Sequence, residues 1–229
     1  MNPSVSVVIP AFNEEKTIGH TLSKTREILE STRLFFEIIV VDDGSTDHTK
    51  ECAQHHNVTL LTNGENQGKG YALQRGFRHA KGDIIVTMDA DGSHNPEDLK
   101  KLLVPVLNGV DVAVGSRFVD GRGKNSTKRL HVVGNHLINL LIRIITRKRI
   151  TDSQTGFRAI RRKAIEKLEI VSKGYQIETE LTVKSLKNGN KVQEIPIHCT
   201  KRLEGCSKLE ILRDGFRIFK TIVESSIKP

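Results

Sequence analysis

The stretch Val86-Thr87-Met88-Asp89-Ala90-Asp91-Gly92-Ser93 decides how the chain is read. It closes an apolar, β-branched run that starts at Asp83, just after Gly82, which is the pattern of a short buried strand. The run stops in two carboxylates one residue apart, then Gly92, Pro96 and an amphipathic helical pattern. Open parallel sheets bind ligands just beyond the carboxyl ends of their strands, where the strand order reverses. No Lys or Arg occurs from Asp83 to Asp98, so two acids there need a cation from elsewhere. A hard divalent ion, Mg²⁺ or Mn²⁺, carrying substrate phosphates meets that need. An acidic turn with Asp89 flanking a helix is the competing reading, and a lone D-x-D does not separate the two.

On both sides of this stretch, strand and helix patterns alternate. Val5–Ile9 reads as a strand stopped by Pro10. The segment Ala11-Phe12-Asn13-Glu14-Glu15 leads into a helix through Ile18, Leu22, Ile28 and Leu29, with acids suited to its positive end. A second strand, Phe36–Val41, runs into Asp42-Asp43-Gly44-Ser45-Thr46-Asp47, where Gly44 permits a tight turn and Ser45 or Thr46 can cap the next helix. A third strand, Val58–Leu61, precedes the polar loop Asn63–Gly70 and another helix. After the D-x-D come a helix from about Pro96 to Leu107 and a strand over Val110–Val114. This succession predicts an α/β fold with a mostly parallel central sheet flanked by helices. Asp42, Asp43, Asp89 and Asp91 then fall at one edge of that sheet. The G-x-G-x-x-G of dinucleotide folds is missing, since Gly64–Gly70 lacks its spacing and follows the third strand.

The 229 residues suit one domain with a real core. Lys and Arg number 36 against 27 Asp and Glu, giving +9 and a pI near 9.5, which points to a polyanionic partner. Nucleic acid, an anionic membrane and phosphorylated substrates all qualify by charge. No Trp, two Tyr and eight Phe offer few stacking platforms for single strands, and acidic strand ends would repel a phosphate backbone, so nucleic acid is not the expected partner. Cys52, Cys199 and Cys206 lack the paired spacing of a zinc site and read as reduced thiols of a cytosolic protein. Neither a signal peptide nor an apolar run of about 18 residues is visible.

Beyond Gly115 the character changes. Ser116-Arg117-Phe118 and then 121–129, with Arg122, Lys124, Lys128 and Arg129, form a basic, glycine-containing loop. The apolar segment 130–149 ends in Arg147-Lys148-Arg149. It reads either as a buried core helix or as an interfacial helix that snorkels its cations toward anionic headgroups. The polar loop Thr151–Arg158 precedes two helical stretches, the second containing Gln176-Ile177-Glu178-Thr179-Glu180-Leu181. A last strand, Lys191–Ile197, leads through the basic 201–208 to an amphipathic helix carrying Leu209, Leu212, Phe216, Phe219 and Ile222.

An ordered set of motifs resembles the inverting family-2 glycosyltransferases of the GT-A (nucleotide-diphospho-sugar transferase) fold, nearest the dolichyl-phosphate or polyprenyl-phosphate mannose and glucose synthases. The set is Val8–Glu14, Val41–Ser45, Asn66–Gly70, Asp89–His94, Gly115–Arg117, Thr155–Arg158 and Arg202–Lys208, and it covers nearly the whole chain. The resemblance implies one catalytic domain over 1–229, with a nucleotide-sugar half (1–115) and an acceptor and membrane-surface half (116–229). It implies metal-dependent transfer of a hexose from GDP-mannose or a UDP-hexose to dolichyl or polyprenyl phosphate. The alternative is the same fold acting on a saccharide hydroxyl.

By the same resemblance Pro10, Phe12, Glu14, Val41 and Asp43 hold the nucleoside, and Asp89, Ala90 and Asp91 complete the donor site. Asp89 and Asp91 place Mg²⁺ or Mn²⁺ on the diphosphate, with Ser93 at a position where related synthases often carry a stronger ligand. Breaking the sugar–phosphate bond releases a nucleoside diphosphate whose charge the metal stabilises, so Asp91 is a catalytic candidate. A lipid phosphate is already anionic and needs aiming rather than a strong base. Arg117, Arg129, Arg202 and Lys208 suit that task. A hydroxyl acceptor would need a base, for which Asp152 or Glu178 is the candidate. His94 and His131 read as structural. The expected placement is peripheral, on the cytoplasmic face of a membrane, held by 130–149, the terminal helix and an integral partner or the substrate lipid.

Overall fold

The β-branched runs assemble into one seven-stranded sheet. The computed structural model describes residues 4–120, 129–199 and 211–227. Its strands are β1 (Ser4–Ala11), β2 (Phe35–Asp42), β3 (Thr59–Thr62), β4 (Ile84–Thr87), β5 (Val112–Ser116), β6 (Arg158–Arg161) and β7 (Val192–Pro196), in the order β3-β2-β1-β4-β6-β5-β7. β1, β2, β3 and β4 are mutually parallel, β5 and β7 pair in parallel, and β6 runs antiparallel between β4 and β5. The order reverses at β1, which has β2 on one side and β4 on the other, the place where such sheets open a crevice.

Helices α1 (Ile18–Glu30), α2 (Thr49–Gln54), α3 (Lys69–His79), α4 (Asp98–Leu107), α5 (Arg129–Thr146), α6 (Arg162–Ile165), α7 (Ile177–Lys187) and α8 (Ile211–Ile227) cover the sheet. Val5, Val7 and Ile9 of β1 pack with Ile18, Leu22, Leu99 and Leu102 of α1 and α4. Val8, on the opposite face, packs with Leu73, Ile177 and Leu181 of α3 and α7. Both faces are therefore covered, which is why these strands are apolar without alternation. A third cluster joins Ile142 of α5, Val183 of α7, and Ile218 and Ile222 of α8.

Several local expectations change. β1 does not stop at Pro10 but runs to Ala11, with Pro10 opposite Val41. Val8 carbonyl accepts from Met88 N–H, so even-numbered positions of β1 face β4. β4 pairs with β1 only as far as Val8, so Pro10's missing N–H faces the side that β4 has already left. Glu14 and Glu15 precede α1 instead of forming its first turn, because Asn13 at φ +56° turns the chain first. Neither Ser45 nor Thr46 caps α2. Ser45 Oγ accepts from Asn13 N–H, and Asp47 accepts from Thr49 N–H. β6 was not legible as a strand: four residues with an arginine at each end carry too little apolar pattern. The division expected between 115 and 116 falls inside β5, and β6 and β7 complete the sheet that the first half begins.

Candidate active site

The ends of β1 and β2 are strapped together before any ligand is considered. Asn13 N–H donates to Ser45 Oγ at 2.9 Å, Glu14 N–H to Thr49 Oγ1 at 2.7 Å, and Thr46 N–H to Asn13 Oδ1 at 2.8 Å. Pro10, Phe12 and Glu14 thus sit beside Val41 and Asp43, with Ala11 in register with Asp42. Asp43 is buried, and its carboxylate accepts from Asn63 Nδ2 at 2.6 Å, Gln67 N–H at 3.1 Å and Gly68 N–H at 2.7 Å. It therefore holds the 63–68 loop against β2. Gly44, at φ +73°, lets that loop pass: a Cβ there would lie 2.5 Å from the Glu65 carbonyl carbon. The Val41 side chain is fully buried between β2 and α3, so only its backbone remains for a ligand.

β4 delivers the D-x-D to the same edge. Asp89 and Asp91 are partly exposed, and Ala90 between them is buried, its carbonyl accepting from Thr21 Oγ1 at 3.3 Å. Asp91 Oδ1 accepts from Ser93 N–H at 3.0 Å. Asp89 Oδ1 lies 2.6 Å from Lys69 Nζ, and that ammonium also reaches Glu178 Oε1 at 2.5 Å. Burial alone would raise the Asp89 carboxyl, but Lys69 and then His94 hold it down at about 2. Glu178, at the first turn of α7, is pushed up by burial, with Lys69 opposing. Lys69 is driven well above the usual ammonium range by its two acids, against its own burial. His94 is lowered by burial and stacks on Phe157 with ring centroids 5.1 Å apart. Its Nδ1 accepts from Asp89 N–H at 3.3 Å.

Gly156 closes this cluster from the strand side. Its carbonyl accepts from Thr87 Oγ1 at 2.6 Å, and a Cβ there would lie 2.7 Å from Asp89 Oδ1 and 2.9 Å from Lys69 Nζ. The next residue but one, Arg158, is fully buried and donates to Thr155 and Ser153 carbonyls and to Thr182 Oγ1. Burial lowers it to about 10. It fixes the 153–158 loop from beneath.

Across from the D-x-D, at the end of β5, Arg117 forks onto Asp152. Nε donates to Oδ2 at 2.7 Å and Nη2 to Oδ1 at 2.9 Å, while Arg117 N–H also reaches Oδ2 at 3.1 Å. Asp152 is wholly buried and takes a further bond from Asn135 Nδ2. Burial opposes the guanidinium charge, but Asp152 holds Arg117 above its ordinary value. Lys69 and Gly156 carried no role in the sequence reading; the signal for both was their place inside motifs quoted above. Arg202 and Lys208, and the side chains of Arg129 and His131, lie outside the described residues, as does Cys206.

Asp89 and Asp91 offer carboxylate oxygens at the D-x-D, the chemistry that suits a hard divalent cation. Comparison with known proteins then settles the family. The family model described as glycosyl transferase family 2 matches residues 6–169. The chain belongs to glycosyl transferase family 2. Among curated relatives it is 37% identical over 230 residues to an uncharacterized protein of Methanocaldococcus jannaschii, covering 96% of this chain and 91% of that one. It is 35% identical over 230 residues to the dolichol-phosphate mannosyltransferase of Pyrococcus furiosus, covering 94% of this chain but only 64% of the relative. Among solved structures, glucosyl-3-phosphoglycerate synthase of Mycobacterium tuberculosis, crystallised with Mn²⁺ and UDP, superposes at TM-score 0.80 over 99% of this chain and 80% of its own, at 23% identity. This family-2 chain is thus a glycosyltransferase of the GT-A fold.

Proposed function

We propose that this glycosyltransferase moves a hexose, with inversion, from GDP-mannose or a UDP-hexose to dolichyl or polyprenyl phosphate, within a single catalytic domain. The observation that carries the reading is that one sheet edge holds both the acid-rich end of β4, where Asp89 pairs with Lys69 beside Asp91, and the Arg117–Asp152 fork after β5. The dolichol-phosphate mannosyltransferase relative supports the acceptor class, and the Mn²⁺ and UDP of the solved neighbour support a divalent ion.

Asp89 and Asp91, with Ser93, would hold Mg²⁺ or Mn²⁺. Bound there, the ion offsets the charge that collects on the departing diphosphate. The chain's own residues do the rest. Pro10, Phe12, Glu14, the Val41 backbone and Asp43 line the nucleoside end, with Ala90 lying between the two ligands. Arg117 aims the acceptor phosphate, assisted by Arg129, Arg202 and Lys208. Asp152 holds the guanidinium through two parallel bonds and leaves Nη1 outside that fork. The acceptor's anionic oxygen forms the new bond to the anomeric carbon as the bond to the diphosphate breaks, so no proton has to be removed. A hydroxyl acceptor is less well served, since Asp152 is fully committed to Arg117 and Asn135.

The acceptor implies work at a membrane surface, on its cytoplasmic face. Among the described residues no helix is long and apolar enough to cross a bilayer. α5 instead exposes Leu137, Leu140 and Ile144 at i, i+3 and i+7, while Asn135, Asn139 and Ile142 face inward. α8, packed beside it, exposes Phe216, Phe219 and Val223 at the same spacing. Arg143, Arg147, Lys148 and Arg149 are exposed near the end of α5. Both readings of 130–149 thus have a face: one buried, one suited to headgroups, with an integral partner as a further anchor. The test is a panel of UDP- and GDP-sugars offered with polyprenyl phosphate and Mg²⁺ or Mn²⁺, with the glycolipid identified by mass spectrometry. A sugar-phosphate lipid is the expected product; turnover on a phosphate-free saccharide alone overturns the reading.

A further inference from the structure

The Lys69 ammonium already occupies a position that a metal ion bound to Asp89 would have to contest. It sits 2.6 Å from Asp89 Oδ1 and 2.5 Å from Glu178 Oε1, with its side chain 15% exposed. Its backbone cannot retreat. Gly68, at φ +99°, packs on the Lys173 carbonyl, and Tyr71 N–H donates to that same carbonyl at 3.0 Å. Gly70 fits so closely against the Ser172 carbonyl that no Cβ can be added. Lys69 can therefore respond to a ligand only by swinging its side chain between the two acids. Glu178 offers it a second place, since Oε2 is buried and accepts no hydrogen bond from the described residues. Both Glu178 oxygens are closed to solvent, so Glu178 acts through Lys69 and not on substrate.

The protein side of the cation site is also thin. Among the described residues no group of three or more His, Cys, Asp or Glu is arranged to hold a metal ion. Two carboxylates and one hydroxyl fall well short of the roughly six oxygens that Mg²⁺ takes, and Asp89 already pairs with Lys69. Lys69 pairs with Asp89 Oδ1, so a bare divalent ion taken up there must displace the ammonium, and one taken up at Oδ2 sits against its positive charge; either way it gains little. An ion that arrives with a diphosphate brings its own oxygens, and the added negative charge offsets the displaced ammonium, which Glu178 can then take up.

We propose that Lys69 is an internal counter-ion, a positioning residue that makes cation binding at Asp89-Ala90-Asp91 conditional on the diphosphate of the donor. The inference rests on the reading of Asp89 and Asp91 as the donor's metal site. Its consequence is positive coupling: nucleotide tightens the cation, and the cation tightens the nucleotide by the same factor.

The test is binding of Mn²⁺, read by the electron-paramagnetic signal of the free ion, without nucleotide and with saturating UDP or GDP. The wild-type protein should bind Mn²⁺ weakly alone and at least about tenfold more tightly with the matching nucleotide, the scale expected for one unit charge a few ångströms away. Lys69→Met should bind nucleotide-free Mn²⁺ about tenfold more tightly than wild type, and its coupling factor should shrink by about that same factor, leaving the part that the diphosphate's own oxygens supply. Lys69→Arg should keep the coupling. Should Lys69→Met not fold, Lys69→Met with Glu178→Gln removes both members of the buried pair and is held to the same result. A folded variant lacking Lys69 that binds bare Mn²⁺ no better than wild type overturns the role of Lys69 and leaves the metal site standing. Wild-type protein that fails to bind Mn²⁺ with either nucleotide overturns the metal site and the inference together.

Discussion

Two cations stand at the same edge of the sheet, and they differ in how many acids each must satisfy. Lys69 is shared by Asp89 and Glu178, whereas Arg117 is spent on Asp152 alone. The first cluster keeps negative character to spare, beside a second D-x-D carboxylate. The second is a matched fork, its acid wholly buried and the Arg117 side chain 23% exposed. The difference is one of function as well as count. An acid-rich rim attracts a metal–diphosphate, while a neutralised arginine with donors left over can grip an anion without drawing a free cation. In the proposed function, keeping the two signs apart on one sheet edge would let two anionic substrates approach each other despite their like charge.

Asp91→Ala removes the second carboxylate of the acid-rich side. Transfer should fall on the order of a thousandfold, with a thermal melt close to wild type because Asp91 is partly exposed. A loss under tenfold would break the comparison, since the two sides would then not differ in what they bind.

Asp152→Asn keeps the side chain's size but removes its charge and turns one acceptor of the fork into a donor. The KM for polyprenyl phosphate should rise about tenfold to a hundredfold, with the donor KM little changed, because a positioned charge-assisted fork is lost from one substrate only. Steady-state kinetics with each substrate varied in turn reads this directly. A donor KM that moves instead would exchange the roles of the two sides.

The smallest effect sharpens how completely Arg117 is neutralised. Cys199 lies beside the fork, and its thiol is pushed up to about 12 by burial, with Arg117 pulling it down and Asp152 pushing it up. Below that pH the thiol stays protonated, so iodoacetamide should label Cys199 slowly at pH 8, with the rate climbing as pH approaches 12. In Asp152→Asn the upward push disappears and labelling at a given pH should quicken, as followed by mass spectrometry. Rapid labelling of the wild-type thiol at pH 8 would mean that the guanidinium charge is not cancelled.

Much of this was legible in the residues themselves. Runs such as Phe36–Val41 and Asp83–Met88 declare buried strands because a sheet covered on both faces leaves no room for polar alternation, and their acidic ends declare the edge that binds. The order of short motifs was enough for the family, because each is tied to one strand end and the strands keep their order in the chain. What the sequence could not display were relations between distant segments. Nothing near Lys69 in the chain announces that it meets Asp89 and Glu178. Nor does Arg158-Ala159-Ile160-Arg161 read as a strand until β4 and β5 supply partners on both sides. Local pattern is set by what each residue's own backbone and side chain prefer. Which charges cancel is set by packing, since an ion pair across the fold exists only when the tertiary structure brings its two halves within a few ångströms and removes the water between them.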